Sequence, residues 1–516
     1  MNAQITRVVI ILLVSCSVIA AQQAPAADSN SESRLAGIVE QLQKQIAKLQ
    51  TSVDELRSEA NRYRAETLEL QRRLELIANP EVPAQHEATQ AAASSDQAPE
   101  GPGAVLAGAR LSKLEEEYEL LTGKVDDQYQ TKVESGSKYR VRLSGLVMLN
   151  MFSNRGVPYS IDVPGIAQPT RPAYSSGSFA GTLRQSQVGL EVFGPEWGGA
   201  KVSGDLRFDF AGGFPDTESG VTLGLMRLRT GNIHINWAQT SLTAGQDAPM
   251  FSPLSPTSVI SLAQPEFAYA GNLWTWVPQV QVQHWFSLPN AQRLTLAAGV
   301  MDSLTGEPPR AQFIRLPGAG EASKQPGYSA RVGWSRSTSE DRPISIAASG
   351  YFGRQDWGFN RGVDGWAATA DWQVPLSRRF DLKGELYRGR ALGGFGGSAG
   401  TSILSSDVLQ NRLAIVRGLD SAGGWAQLSY QASSVVQLNA GYGLDNPFSS
   451  QLRQFSAVNN LLNPELGRNG SAMANVIYRP RSDLLLSVEY RHLASTRLTH
   501  ETASAENIGL GIGLLF

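Results

Sequence analysis

The sequence predicts an all-β transmembrane barrel of about sixteen antiparallel strands, preceded by an N-terminal α-helical coiled coil. Three observations predict the barrel. From residue 137 onward hydropathy alternates with a period of two. The connections between the alternating segments are long and short in turn, as in barrels that cross a membrane. The last segment, Ile508-Gly-Leu510-Gly-Ile512-Gly-Leu514-Leu-Phe516, sets apolar residues at every second position back from a terminal Phe.

Composition sets the bounds. Lys plus Arg is 45 and Asp plus Glu is 47, a formal charge of −2, so gross positive charge for nucleic acid is absent. Apolar residues are 41%, too many for a disordered chain and too few for a bundle of membrane helices. After the N-terminus no apolar run reaches about 18 residues, which excludes spanning helices in the mature chain. A single cysteine, Cys16, and five scattered histidines without an HExxH pattern supply neither a disulfide framework nor a metal site.

Residues 1–21 read as a secretory signal peptide: Arg7, an apolar stretch from Val8 to Ala20, then small residues before Gln22. Leu13-Val14-Ser15-Cys16 also resembles a lipoprotein box, which leaves lipidation of Cys16 as a second reading. Residues 33–78 carry a coiled-coil seam: Leu35, Val39, Leu42, Ile46, Leu49, Val53, Leu56, Ala60, Tyr63, Thr67, Leu70, Leu74 and Ile77 step by four and three without a break. Glu59 and Arg64 stand at the spacing of an interchain pair. Such a helix, about 64 Å long, cannot bury its stripe alone, so an oligomer is expected. Val and Ile at a with Leu at d favour two strands; Ala60, Tyr63 and Thr67 weaken that preference, and another domain could impose a trimer. Residues 79–109, broken by Pro80, Pro83, Pro99 and Pro102, form a flexible linker. A second helical segment is expected over 110–132, where Leu111, Leu114, Tyr118, Leu121 and Val125 share a face.

The barrel domain is expected over 137–516. Strands are placed near 138–150, 182–193, 200–211, 222–236, 239–247, 274–286, 292–302, 326–337, 343–354, 364–375, 378–390, 421–431, 434–445, 469–479, 482–495 and 506–516. One face of each is apolar or aromatic and the other charged, amide, Gly or Ser. Trp276, Trp285, Trp334, Trp366, Trp372, Tyr430, Tyr442, Tyr478 and Tyr490 fall on or near strands, as interfacial girdles require. In hydrocarbon every backbone N–H and C=O needs a partner, and only closure removes the sheet edges. Ile512, Leu514 and Phe516 resemble the signal by which such barrels are handed to their assembly machinery.

Residues opposite the apolar face are the candidate lumen lining. The basic ones are Arg140, Arg142, Lys201, Arg207, Arg293, Arg331, Arg379, Lys383 and Arg491, with Arg227 and Arg229 less securely placed, because parity changes near Thr230-Gly231 and suggests a bulge. The acidic ones are Glu191, Asp205, Asp209, Asp371 and Glu489, with Asp381 and Glu385. That excess of basic groups would favour anions in a narrow pore, unless cross-strand pairing cancels it. The connection from about 248 to 272 is long, Pro-punctuated and apolar. With Phe251, Glu266, Phe267 and Tyr269 it is the candidate constriction loop, an external lid or subunit contact being the plainer alternative. Gly393–Gly397 and Gly509–Gly513 are not nucleotide loops, since neither opens a helix. No catalytic set or cofactor can be argued from spacing.

With the coil, the strand Lys138-Tyr-Arg-Val-Arg-Leu-Ser-Gly145, the strand Leu183-Arg-Gln-Ser-Gln-Val-Gly-Leu-Glu-Val-Phe-Gly194, Gly245-Gln-Asp-Ala-Pro249 and Phe516, the chain resembles a DcaP-like trimeric outer-membrane porin, related in layout to phosphate-selective porins. The resemblance implies a homotrimer in outer-membrane lipid, a periplasmic coil, no cofactor, and passage of small solutes, above all small anions such as organic acids. Few lysines fall on strands, against the dense lysine lining of the phosphate-selective branch. The rival expectation is a structural envelope tether, in which the barrel only anchors a coil that binds a periplasmic partner.

Overall fold

A computed structural model of the chain describes residues 140–170, 175–213, 224–305, 315–337, 342–455 and 466–516. The signal peptide, coiled coil, linker and second helical segment lie outside the described residues. The strands are β1 (Arg140–Arg155), β2 in two pieces (Gly177–Thr182 and Gln187–Phe193), β3 (Lys201–Asp209), β4 (Arg227–Asn236), β5 (Thr240–Asp247), β6 (Val277–Leu288), β7 (Gln292–Met301), β8 (Gly327–Arg336), β9 (Ile344–Asp356), β10 (Gly362–Pro375), β11 (Phe380–Arg390), β12 (Asp420–Gln431), β13 (Val436–Pro447), β14 (Leu466–Tyr478), β15 (Leu484–Arg497) and β16 (Thr502–Leu515). Both pieces of β2 pair with β1, so the 17 segments of the sheet are sixteen staves. Each stave is antiparallel to its sequence neighbours. The sheet closes where β16 returns to β1, from Leu146 opposite Leu515 to Arg155 opposite Glu506. Every expected strand is present; the break in β2 at residues 183–186 was not expected.

Alternation sorts side chains as the sequence suggested. Leu143, Val147, Leu149 and Met151 of β1 are exposed on the outer wall, while Met148, Asn150 and Asn154 between them are buried inside. On β16 Ile508, Leu510, Ile512 and Leu514 are outside, and Gly509, Gly511 and Gly513 face in. The small inner face has a steric reason. A Cβ on Gly511 would lie 2.5 Å from Met148 Cε, and one on Gly509 would lie 2.9 Å from Ile260 of a loop packed against it. Phe516 extends the closure: its carbonyl accepts from Gly145 N–H at 2.8 Å, and its ring covers that glycine.

Most connections after odd-numbered strands are long and those after even-numbered strands short; 357–361 and 498–501 break the pattern by being brief. Among the described residues no helix is long and apolar enough to cross a membrane. Trp334, Trp366, Trp372, Tyr430, Tyr442, Tyr478 and Tyr490 lie on the outer parity of their strands. Two of the expected girdle residues do not. Trp285 faces inward, with the Arg293 guanidinium 5.5 Å from its ring centre, and Trp276 lies against Arg229 at 4.8 Å.

An apolar outer face implies depth-dependent intolerance of charge. Val332→Arg, on the outer parity of β8, should lower folding stability by about 2–4 kcal/mol, against a small loss for Val332→Ala. Urea titration of barrels refolded into phosphatidylcholine vesicles, read by heat-modifiable gel mobility, measures it. Equal stability of the Arg variant would remove this face from lipid.

Candidate functional site

The connection between β5 and β6, residues 248–276, runs inside the barrel and is stitched to its wall. It starts at β9, where Phe251 stacks on Tyr351 with ring centres 4.9 Å apart. At β11 the Glu385 carboxylate accepts from Ser252 Oγ and Leu254 N–H, each at 2.8 Å. Lys383 Nζ donates to Ser255 O at 2.8 Å and Thr257 Oγ1 at 2.7 Å. Thr257 N–H reaches Gln427 of β12 at 2.6 Å, and Ser258 Oγ reaches Glu489 of β15 at 2.6 Å. The loop then crosses β16 and β1 to the break in β2. There Gln185, fully buried, donates to Ile260 O at 2.6 Å and accepts from Leu262 and Ala263 N–H at 2.7 and 3.0 Å. On the way back Phe267 packs on Trp425. Gly271 (φ +100°) lies on Gly424: a Cβ there would fall 2.2 Å from Gly424 O, so only glycine lets the two backbones meet.

One ion cluster fastens the return. Arg491 pairs with Glu266 of the loop and with Glu489 at 3.2 Å, and it donates to Ser261 and, at 2.5 Å, to Pro164 O. All three ionisable groups are buried. Two carboxyls thus share one guanidinium. Burial raises the Glu266 carboxyl well above its usual range, Arg491 pulls it back, and Glu489 raises it again.

The loop layers the inner wall from β9 round to the break in β2 and leaves most of β2–β5 uncovered, touching that wall where Ala263 O accepts from Arg227 Nη2 at 2.7 Å. Between that wall and the loop lies a cavity of about 610 Å³, lined by Glu191, Asp205, Arg207, Arg229, His234 and Asp247, among others, with Leu262 and Trp276 across from them. The expected bulge in β4 is real: the register to β3 slips between Arg207 and Phe208, and Arg229 is the additional residue. Arg227 and Arg229 both turn inward onto Asp209, at 2.9 and 3.5 Å. That carboxylate is buried and takes two guanidiniums. Arg207, exposed beside them, makes no ion pair among the described residues.

The other expected lining residues divide by partner. Arg142 is paired with Glu191 at 2.6 Å, and Asp205 with His234 at 2.8 Å. Arg331 is held bidentately by Asp371, its Nη2 at 2.8 Å, and Asp371 is buried. Lys383, Arg491 and Glu489 face inward but are taken up by the loop. Arg140 lies over Phe193, and Arg293 over Trp285. Lys201 is exposed at the start of β3. Arg379 is displaced from its expected place: it sits in the turn 376–379, because β11 begins at Phe380. Within the loop, Phe251, Glu266 and Phe267 are buried against the wall, so they are anchors. Tyr269 gives its carbonyl to Asn469 at 2.7 Å. Sequence reading missed Gln185 and the anchoring by Lys383 and Glu385, since nothing local marks a residue whose partner lies dozens of positions away.

No family model matches the sequence, and no curated protein does. Solved structures do. The outer membrane channel DcaP of Acinetobacter baumannii aligns with a TM-score of 0.55 at 17% identity, over 75% of this chain and 100% of that one. The chain has the DcaP-type porin fold. An anion-selective porin from Comamonas acidovorans (TM-score 0.45, 11% identity, 73% of this chain and 100% of that one) and OmpF of Salmonella typhi (0.44, 11%, 74% and 99%) align less well.

The buried cluster gives two measurable outcomes. Arg491→Met removes the one guanidinium that faces the two buried carboxyls of Glu266 and Glu489 and should cost about 3–5 kcal/mol. The folded barrel also keeps a proton on Glu266 that the unfolded chain releases. Its stability therefore falls as pH climbs from the ordinary carboxyl range through the raised one. Glu266→Gln should flatten that slope in Tm measured against pH in detergent; an unchanged slope would place the proton elsewhere.

Proposed function

We propose that the chain is an outer-membrane diffusion channel for small hydrophilic solutes that favours anions such as small organic acids. The observation that carries this is the polar cavity between the β2–β5 wall and the inward loop, lined by guanidinium, carboxylate, imidazole, amide and hydroxyl groups. The fold, shared with DcaP, supports the setting. Charge supports the preference. Arg207 and Arg229 line the cavity, and of the lining carboxylates Glu191 is taken up by Arg142 and Asp205 by His234, so the guanidiniums are the groups we expect to meet an anion. Asp247, the third lining carboxylate, accepts from Asn232 Nδ2 at 3.1 Å and from Ala248 N–H at 2.7 Å.

We also propose that the barrel assembles as a homotrimer through β1–β5 and β16. Among the described residues, the outer parity of those strands carries neither Trp nor Tyr, whereas β8–β15 carry the aromatic belts that face lipid. Residues 33–78 would then form a periplasmic coil after removal of 1–21, and Ile512, Leu514 and Phe516 would be read by the assembly machinery.

Ion current through the purified protein in a planar bilayer under a salt gradient tests the reading. Conductance steps in triplets with an anion-biased reversal potential are expected. Arg207→Gln, which breaks no ion pair, should move that potential toward cations. Cation bias in the unaltered protein would overturn the charge argument, and no steps from folded protein would leave the barrel an anchor for a tether.

A further inference from the structure

On the outer wall, away from the lumen, the adjoining ends of β11 and β12 carry charge beside an apolar stretch. Arg388 and Arg390 lie on the outer parity of β11, next after Leu386, which is 54% exposed to the lipid side. Both guanidiniums converge on Asp420, the first residue of β12. Arg390 is bidentate, Nε to Oδ1 at 2.7 Å and Nη2 to Oδ2 at 3.3 Å. Arg388 Nη2 stands 3.7 Å from Oδ2. Arg388 is also fixed between rings, 4.1 Å from the centre of Phe448 and 5.6 Å from that of Trp366, and its Nη1 donates to the carbonyls of Gly389 and Ser421. Gln451 caps the carboxylate at 2.8 Å. Two cations therefore share one anion, and the surplus positive charge is held rigidly. The neighbouring outward pair, Arg354 with Asp364 at 3.8 Å, is balanced.

Depth gives this surplus a meaning. Arg388 stands eight residues from Phe380, where β11 begins. Phe352 stands eight from the start of β9 at Ile344, and Trp366 nine from the end of β10 at Pro375. All three are on the outer parity, so Arg388 lies level with the aromatic row at the end of the barrel that carries the long connections. In an outer membrane that level is the outer leaflet's headgroup layer. An arginine kept there needs more than snorkelling, because its side chain is pinned by two rings and a carboxylate rather than free to follow water. Arg390 Nη1 has no acceptor among the described residues. The site also lies across the barrel from the wall without aromatic residues, so a neighbouring subunit does not cover it.

We infer that Arg388 and Arg390 form a binding site for the phosphate of an outer-leaflet glycolipid headgroup, a lipid A-type phosphoglycolipid. The planar donors of the two guanidiniums would take the phosphate oxygens. Leu386 and the lipid-facing residues below would meet the acyl chains. The inference rests on the barrel spanning an outer membrane but not on conduction through its lumen, so the bilayer experiment and this one fail independently.

The test is native mass spectrometry of the full chain in nonionic detergent, titrated with bis-phosphorylated lipid A. The unaltered protein should retain the lipid, and should retain chemically dephosphorylated lipid A about tenfold less well, a difference of about 1.4 kcal/mol. Arg388→Gln/Arg390→Gln, checked for folding by heat-modifiable mobility, should bind bis-phosphorylated lipid A as weakly as the unaltered protein binds the dephosphorylated form. R388K/R390K should fall between. Equal retention of the two lipids by the unaltered protein overturns the site without recourse to any variant. So does a Gln variant that keeps the lipid but falls apart into single chains, which would assign the pair to subunit contact.

Discussion

Closure of β16 onto β1 is the constraint on which the rest of the barrel depends. A strand edge facing hydrocarbon would leave a row of unpaired N–H and C=O groups, each costing several kcal/mol. The pairing from Leu146–Leu515 to Arg155–Glu506 removes that edge. It also fixes the parity of every other stave, since each takes its register from its neighbour. The alternation of Ile, Leu and Gly on β16 follows from both sides at once: an apolar surround outside, and inside the packed Met148 and Ile260, which leave no room for a Cβ.

A closed barrel of this size still has to fill part of its interior. Residues 248–276 do so with a backbone that has no sheet to pair with, and wall side chains supply the partners instead. Glu385, Gln427, Asn475, Glu489 and Gln185 each take or give a hydrogen bond to the loop backbone or to its serines. The loop in turn takes up Glu385 and Glu489 of the wall it covers. This is why several residues that read as lumen lining are structural, and why glycine at 271, 424 and 443 matters more than any single polar contact.

Much of this architecture is legible in the amino-acid sequence. All sixteen strands, the outer face of β16, the inward loop and the bulge beside Thr230 can be read there, because each depends on local period or on the length between periods. What cannot be read depends on pairings distant in sequence. Leu183-Arg-Gln-Ser-Gln continues its alternation through residue 185, yet the strand opens there, because Gln185 is claimed by a loop some 75 residues further on. Arg491 and Glu489 have the parity of lining residues, but Glu266 buries them. Arg379 falls one residue outside its strand, within the usual uncertainty of element ends. Trp276 and Trp285 show that an aromatic residue near a strand end can serve guanidiniums inside as readily as lipid outside.

The same division explains the charge of the lumen. Counting inward residues treats every charge as equal, but the loop covers only one wall. The carboxylates of β11 and β15 disappear beneath it, together with Lys383 and Arg491, and their fields are spent on hydrogen bonds to the loop. On the wall left largely uncovered Arg207 is exposed, Arg227 and Arg229 share the buried Asp209, Glu191 is paired with Arg142 and Asp205 with His234. The charges that line the cavity, Arg207 and Arg229 with Glu191, Asp205 and Asp247, are therefore a local selection from a sequence balanced overall. That selection is made by which wall the loop covers, and the loop is held there by glycine contacts, amide hydrogen bonds and the buried Arg491–Glu266–Glu489 cluster together.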